Sequence, residues 1–289
     1  MWTAWILASA VFLAFYDIAK KASVRGNAVL PVLFISASSG AVAYVSSLGA
    51  AGGLGAAFAA SPRDLALIAV KTLVVGMSWV LTFRGLRTLP VTIATPIRAS
   101  APALVFVVAF FLYGERPSAV QGAGMILVFA GYWAFGWAGR HEGIDFLRSR
   151  AVWCAVGGMC LSAVSSLWDK YILQKCAIPV ETVQFWFQLG LVVFYGGLVS
   201  VRGLPGASRD KFEWRWSIPA TGILLVAADW LYFHGLAIPD VSIAAGSLLR
   251  RFSVVITFIL GAMLFGERNL RRKGVALAAI LAGVAMLCM

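Results

Sequence analysis

Two arginines lie deep within apolar segments of the chain. Arg98 is eight residues past Pro90, and Arg250 is nine residues past Val241. At 1.5 Å of rise per helical residue, each side chain is expected ~12–14 Å from the nearer end of its segment. A guanidinium forms charge-assisted, often bidentate hydrogen bonds with a carboxylate or phosphate. We therefore expect Arg98, Arg250 and the adjacent Arg251 to bind an anionic group, with neutralisation by fixed carboxylates as the alternative.

Lys71 and Asp229 are a second pair of charges within apolar segments. Each lies seven residues from one end of its segment, which places both ~10 Å deep and at matching depth. A Lys71–Asp229 ion pair would explain both burials. The spacing supports a static pair and a gate equally.

Three further titratable residues lie near segment ends. Asp17 and Asp169 each follow an aromatic residue and shortly precede a lysine. Solvation or a lysine salt bridge explains them as well as a role in gating or proton coupling does. His234 also ends a segment, where a lone histidine is more often interfacial, and it is retained as a gating candidate.

Uncharged side chains complete the candidate binding set. Gln184 and Gln188 are one helical turn apart, with Trp186 between them. Either glutamine could donate hydrogen bonds to a ligand or join neighbouring helices. Trp79 and Trp186 are the aromatic candidates for the same site.

The composition excludes a soluble protein. The 289 residues are 61% hydrophobic and 12% charged, about half the charged fraction of a soluble domain. Apolar runs of ~20 residues recur along the chain, so lipid must be its main solvent. This excludes soluble enzymes, nucleic-acid-binding proteins and disordered chains. The motifs of hydrolases and nucleotide-binding loops are absent, and the four cysteines lack metal-ligand spacing, so neither an enzyme nor a cofactor is predicted.

The apolar runs predict ten transmembrane helices, because backbone polar groups in lipid must be satisfied internally. The predicted fold class is therefore all-α, a polytopic membrane bundle. The spans cover residues 2–19, 29–48, 64–83, 90–113, 118–138, 152–169, 180–201, 217–236, 241–265 and 270–288.

The two halves of the sequence repeat each other. An offset of 152 residues aligns Asp17 with Asp169, Arg98 with Arg250, and the Gly-Glu-Arg of 114–116 with that of 266–268. The predicted repeats are 1–143 and 152–289, with five spans each. Because five is odd, the second repeat must enter the membrane inverted, which places a site between the repeats near the midplane.

The basic residues predict the orientation. Sixteen Lys and Arg lie on the side of the odd-numbered loops, four on the side of the termini, and four within spans. By the positive-inside rule, both termini should face the outside of the cell. The expected location is a bacterial cytoplasmic membrane. The net charge of +12 is therefore mainly a topology signal.

Paired turns link the fourth and fifth spans of each half. They read Tyr-Gly-Glu-Arg-Pro at 113–117 and Phe-Gly-Glu-Arg-Asn at 265–269. With the two five-span halves, they make the chain resemble a ten-span, EamA-like member of the drug/metabolite transporter superfamily. The resemblance implies transport but no particular substrate, since similar members move amino acids, sugar nucleotides, phosphorylated sugars, choline or drugs. Many ten-span relatives are thought to keep both termini in the cytoplasm, the reverse of the orientation predicted here.

The glutamates of those turns, Glu115 and Glu267, are predicted to cap the fifth and tenth helices that they precede. Small residues on the same two spans, such as Gly122 and Gly274, predict close helix contact in a scaffold or a dimer seam.

These features favour a secondary transporter or exporter of a small polar metabolite with an anionic group, working by alternating access. An amino acid, an organic acid and a phosphorylated compound all fit. The alternatives are a translocase for an anionic lipid head group and an efflux transporter for drugs or cations. Expected partners are the substrate, the lipid bilayer and a coupling proton or ion, with the protein a monomer or homodimer.

Overall fold

The computed structural model of the chain describes residues 2–99, 101, 104, 118–140, 145, 147–202, 211–236, 249–267 and 269–287. Within those ranges the regular elements are helices, and no strand occurs among them. The prediction of an all-α fold is confirmed.

Eleven α-helices are present in the described ranges. They are α1 (Trp2–Val24), α2 (Val29–Ala50), α3 (Leu54–Phe58), α4 (Pro62–Thr88), α5 (Val91–Ala99), α6 (Ala119–Arg140), α7 (Arg150–Lys170), α8 (Val180–Arg202), α9 (Ser217–Leu236), α10 (Phe252–Phe265) and α11 (Leu270–Leu287). A π-helical turn, Tyr171–Lys175, continues α7.

In the part of the chain that the structure describes, five helical segments are long and apolar enough to cross a membrane, each with at least 22 residues. They comprise α1, α2, α4, α7 with part of the π-helical turn, and most of α8. Shorter apolar helices lie in α6, α9 and α10. Because only helices with internally bonded backbones are stable in lipid without barrel closure, the chain is an integral, multi-pass membrane protein.

Local sequence explains where several helices begin and end. The Ser61 hydroxyl accepts the backbone N–H of Asp64, and the Asp64 carboxylate accepts the N–H of Ser61, which is a capping box at the start of α4. At the other end, α4 stops just before Pro90, which has no N–H to continue the helix. The third predicted span, 64–83, is therefore longer in the structure.

The structure departs from the sequence prediction in one predicted loop and in one predicted span. The predicted loop 49–63 contains the short helix α3. In the ninth predicted span, 241–265, helical residues 249–250 are followed by a turn at Arg251, and α10 begins only at Phe252. The span is therefore interrupted beside the two arginines.

The fourth predicted span, 90–113, is described mainly through α5, since residues 102–103 and 105–117 lie outside the described part of the chain. The predicted cap Glu115 lies there too.

Long antiparallel helix pairs form the core of the bundle. In the α1–α9 pair, the Ser9 hydroxyl donates to the Ala228 carbonyl at 2.6 Å. The α4–α7 pair has a similar contact, in which Ser78 donates to the Gly158 carbonyl at 2.7 Å. Each bond joins helices from different halves of the sequence, so the halves are packed together along their length.

The third long pair consists of α6 and α11, the fifth and tenth predicted spans. A Cβ added to Gly283 would lie 2.6 Å from the Gly124 carbonyl oxygen, so the two backbones touch because this residue has no side chain. Gly131 similarly faces Ile280. Small residues of these spans thus form a seam within the chain, as the scaffold interpretation requires, but the seam is made at Gly131 and Gly283. The prediction is wrong for Gly122 and Gly274, because a Cβ added to Gly122 would meet nothing within 4 Å and one added to Gly274 only the Phe258 ring at 3.9 Å.

The corner between α4 and α5 is held by residues from both halves. The Lys21 ammonium donates to the carbonyls of Leu86 and Leu89 at 2.7 and 2.6 Å, which satisfies the end of α4. The Glu267 carboxylate accepts the N–H groups of Val91 and Thr92 at 2.7 and 3.1 Å, which satisfies the start of α5.

The prediction that Glu267 caps the tenth helix is therefore wrong. It caps α5, because the chain turns at Gly266 and Asn269, with φ of 62° and 55°, before α11 begins. The buried Lys273 ammonium lies 3.9 Å from this carboxylate and donates to the Thr92 hydroxyl at 3.1 Å.

Candidate functional site

A cavity of about 290 Å³ lies where α1, α5, α9 and the start of α10 meet. We call it the basic cavity, because three guanidinium groups and one carboxylate lie on its wall. Its described lining residues are Leu13, Arg98, Leu225, Asp229, Arg250, Arg251, Ser253 and Val254. Two of the four helices come from each half of the chain, so the arginines of both halves meet in one cavity.

Arg250 is held on two sides. Its Nη2 lies 2.5 Å from Asp229 Oδ1, and its guanidinium carbon lies 4.4 Å from the centre of the Tyr232 ring. Its Nε is buried and has no hydrogen-bond partner in the described part of the chain. Buried donors almost always have a hydrogen-bond partner, so this unpaired N–H favours a bound ligand that accepts it.

Arg98 donates to Asp17, which is only 2% exposed. Lys20 also approaches Asp17, with 3.6 Å between Nζ and Oδ1, and lies over the ring of Tyr16. One buried carboxylate therefore lies between two cations and balances the charge of only one of them. About a third of the Arg98 side chain remains exposed.

Both arginines thus have a carboxylate partner, which is the alternative that the sequence left open. The cavity nevertheless retains net positive charge. Three arginines face it, against Asp229 on its wall and Asp17 behind Arg98.

The predicted Lys71–Asp229 pair is wrong. Lys71 Nζ lies 2.7 Å from Asp169 Oδ1 and 4.8 Å from the centre of the Phe187 ring, whereas Asp229 pairs with Arg250. The Lys71–Asp169 contact is close but lacks hydrogen-bond alignment, so it is mainly ionic. Equal depth could not reveal these partners, because packing of α4 against α7 brings Lys71 to Asp169.

A second cavity, of about 230 Å³, lies between α2, α8 and α9. We call it the acidic cavity, since its described lining includes Glu181 and Asp229 but no Lys or Arg. That lining consists of Tyr44, Ser47, Leu48, Ala51, Val180, Glu181, Gln184, Gln188, Val226, Asp229, Trp230 and His234. Asp229 lines both cavities and separates them.

A narrow cleft of about 20 Å³ runs between the cavities, with room for about one water molecule. Trp79, Phe83 and Tyr16 line it. Gln188 is shared between the cleft and the acidic cavity, and Leu225 between the cleft and the basic cavity. Of the predicted binding residues, Gln184 and Gln188 on α8 thus line the acidic cavity and Trp79 on α4 lines the cleft, whereas the arginines line the basic cavity.

Two other candidates lie at the margin of this system. Trp186 donates from Nε1 to the Ala57 carbonyl at 3.0 Å, so it fastens α3 to α8 and is not among the residues lining the three cavities. His234 is exposed, lies with its ring centre 3.9 Å from that of Trp230, and lines the acidic cavity.

Sequence reasoning missed two residues of this region. Tyr232 lies 18 positions before Arg250, and nothing in the sequence shows that the two stack. Glu181 could have been found, because Glu181, Gln184 and Gln188 recur at spacings of three and four and therefore share one face of α8.

The basic and acidic cavities are charged, are of ligand size and lie between packed apolar helices, an arrangement that suits the binding of small polar molecules. Residues 1–137 match the EamA-like transporter family. The resemblance drawn from the sequence is confirmed for this part of the chain, which is similar to a family of membrane transporters of small molecules.

The fold itself recurs among solved structures. A crystal structure of a protein 19% identical to this chain superposes with a TM-score of 0.63, over 99% of this chain and 96% of the other. The shared fold therefore extends through the second half, beyond the family match. No curated protein matches the chain.

Proposed function

We propose that the protein is a secondary transporter or exporter of a small metabolite with an anionic group, such as an amino acid, an organic acid or a phosphorylated compound. The observation that carries this proposal is the state of Arg250. Asp229 and Tyr232 fix its guanidinium on the wall of the basic cavity, and its buried Nε has no hydrogen-bond partner among the described residues. A substrate carboxylate or phosphate would accept this N–H in a charge-assisted hydrogen bond.

The rest of the basic cavity suits the same anion. Arg98 and Arg251 add two guanidinium groups to its wall. The amino-terminal end of α10 lies beside them, with Ser253 and Val254 on the wall, and a helix amino terminus carries partial positive charge. Interrupted helices that aim such ends at anionic groups are a recurrent device in transporters.

Alternating access would come from ten spans in two inverted repeats, 1–143 and 152–289. The packing supports this arrangement: α1 lies along α9 as α4 lies along α7, which pairs the first span with the eighth and the third with the sixth. Repeats related by a two-fold axis in the membrane plane would give this exchange of partners.

Contacts between the halves would act as gates. Lys71–Asp169 joins them near one end of the bundle, and Glu267 with α5 joins them near the other. Asp17 and Asp229 are the coupling candidates, since each holds an arginine of the basic cavity and could exchange that partner for a proton or a substrate. Transport would draw on an ion gradient or on exchange, with both termini outside.

A ligand screen on the purified full chain tests this function. Thermal unfolding would be followed with anionic metabolites and with neutral and cationic analogues of the same skeletons. Anions are expected to raise the melting temperature of the wild type, and less so that of Arg250→Lys. Arg148→Lys, a matched change at an exposed residue, should respond like the wild type. Stabilisation by neutral analogues to the same extent would contradict the proposal.

A further inference from the structure

The acidic cavity has a ligand chemistry opposite to that of the basic cavity. Two carboxylates, Glu181 and Asp229, are its ionised groups among the described residues that line it. Glu181 is exposed, and the structure gives it no ion pair within the described part of the chain. This wall therefore attracts positive charge.

Gln188 points to a ligand in the same cavity. Its side chain is more than nine-tenths buried, at 7% exposure, and lines the acidic cavity. Its amide makes no hydrogen bond within the described residues. The amide atoms are not among the fully buried groups that lack a partner, so they reach the space of the cavity, where a bound group can donate to the amide oxygen. Gln184 offers a second amide one turn away.

Aromatic side chains complete the wall. Tyr44 and Trp230 lie on it, contributed by α2 and α9. The faces of such rings attract organic cations, most strongly where water is partly excluded. Carboxylates, free amide oxygens and aromatic rings together match an ammonium group on a small organic body.

We propose that the acidic cavity is a binding site for an organic ammonium cation, and that its occupancy strengthens anion binding in the basic cavity. The coupling runs through Asp229. Its Oδ1 is bonded to Arg250, while a third of the side chain remains exposed, and its residue lines both cavities. A cation drawn to Asp229 from the acidic side competes with Arg250 for the carboxylate and leaves more of the guanidinium for an anion.

The coupling must be mutual. An anion bound to Arg250 frees Asp229 for the cation by the same free energy by which the cation favours the anion. The cation site itself stands independently of the proposed function, whereas this coupling rests on it. The charges could belong to one dipolar molecule or to two separate ones.

Calorimetry on the purified full chain, with three probes that share one carbon skeleton, tests both the cation site and its coupling to anion binding. Benzylammonium supplies the cation, benzoate the anion, and benzyl alcohol the uncharged control. Benzylammonium is expected to bind the wild type about tenfold more tightly than benzyl alcohol does, as the loss of a charged hydrogen bond would imply. Saturating benzylammonium should tighten benzoate binding about fivefold, at the lower end of usual couplings, and less than twofold in Asp229→Asn.

Variants assign the cation to this cavity. Glu181→Gln and Gln188→Leu should each weaken benzylammonium binding about tenfold, and Glu181→Gln should leave the binding of benzoate alone unchanged. Gln121→Leu is the matched control, since Gln121 lies at the start of α6 and lines neither cavity. Because Glu181 is exposed, its variant is expected to fold even where Gln188→Leu does not.

The outcomes separate the two proposals. Equal binding of benzyl alcohol and benzylammonium, or benzylammonium binding unchanged in Glu181→Gln, overturns the cation site. Benzoate affinity unaffected by benzylammonium overturns the coupling. Benzoate affinity unchanged in Arg250→Lys contradicts the proposed anion site alone and leaves the cation site standing.

Discussion

The carboxylate of Glu267 accepts the backbone N–H of Val91 at 2.7 Å across 176 residues of sequence. A residue of the second half thereby supplies the helix cap that α5, in the first half, lacks in its own sequence. Since α5 also carries Arg98, the position of one cavity arginine depends on a contact made at the far end of its helix.

The first prediction concerns this cap. Glu267→Ala leaves two N–H groups of α5 without acceptors and removes the carboxylate beside the buried Lys273, so the free energy of unfolding should fall by about 1–3 kcal/mol. Thermal or denaturant unfolding in detergent measures the loss. Glu213→Ala, which removes an exposed carboxylate paired with Arg215, should cost less than ~1 kcal/mol. Equal losses in the two variants would show that the cap contributes nothing.

The second prediction concerns the ion pair that joins α4 and α7. Asp169→Asn alone should destabilise the protein, because it leaves the buried Lys71 ammonium without its counter-charge. Adding Lys71→Met should recover part of the loss, with a coupling of about 0.5–3 kcal/mol between the two sites. The same cycle with Lys71→Met and Asp229→Asn should be additive. Coupling in that second cycle and additivity in the first would reverse the assignment.

The third prediction concerns orientation and follows from the sixteen-to-four distribution of basic residues. In a background without the native cysteines, Ala59→Cys should react with a membrane-impermeant thiol reagent added to intact cells, and Lys211→Cys should react only after the membrane is opened. Both positions are exposed, so access to the reagent depends on the side of the membrane. The reverse pattern would place both termini in the cytoplasm and leave the fold unchanged.

The repeat explains what the sequence could and could not predict. The matched positions of the two halves indicated that Arg98 and Arg250 approach one cavity, and both line the basic cavity. The carboxylate partners of the two arginines do not follow the alignment of the two halves. At the 150-residue offset, Asp229 stands where the first half has Trp79, and Thr221 stands where it has Lys71. The second half therefore has an extra carboxylate, which pairs with Arg250, and Asp169 pairs with Lys71 instead.

Depth alone was the weakest basis for prediction. Counting residues along a helix gives the distance from the membrane surface but not the direction in which a side chain points. Equal depth therefore predicts a Lys71–Asp229 pair, although the two residues lie on α4 and α9, whose main partners are α7 and α1. Spacing within one helix was more informative, since Gln184 and Gln188 share a cavity as their one-turn separation suggests.

The central claim is that the guanidinium of Arg250 binds the anion of the substrate, and its most direct test is the dissociation constant of an anionic ligand for Arg250→Lys beside the wild type. Lysine keeps the charge but cannot supply the Nε donor while it pairs with Asp229. We expect affinity to fall by about 10-fold or more, equivalent to ~1.5–3 kcal/mol, with the protein folded and with Arg148→Lys unchanged. An unchanged dissociation constant in folded Arg250→Lys would contradict the account and leave Arg250 as a structural partner of Asp229.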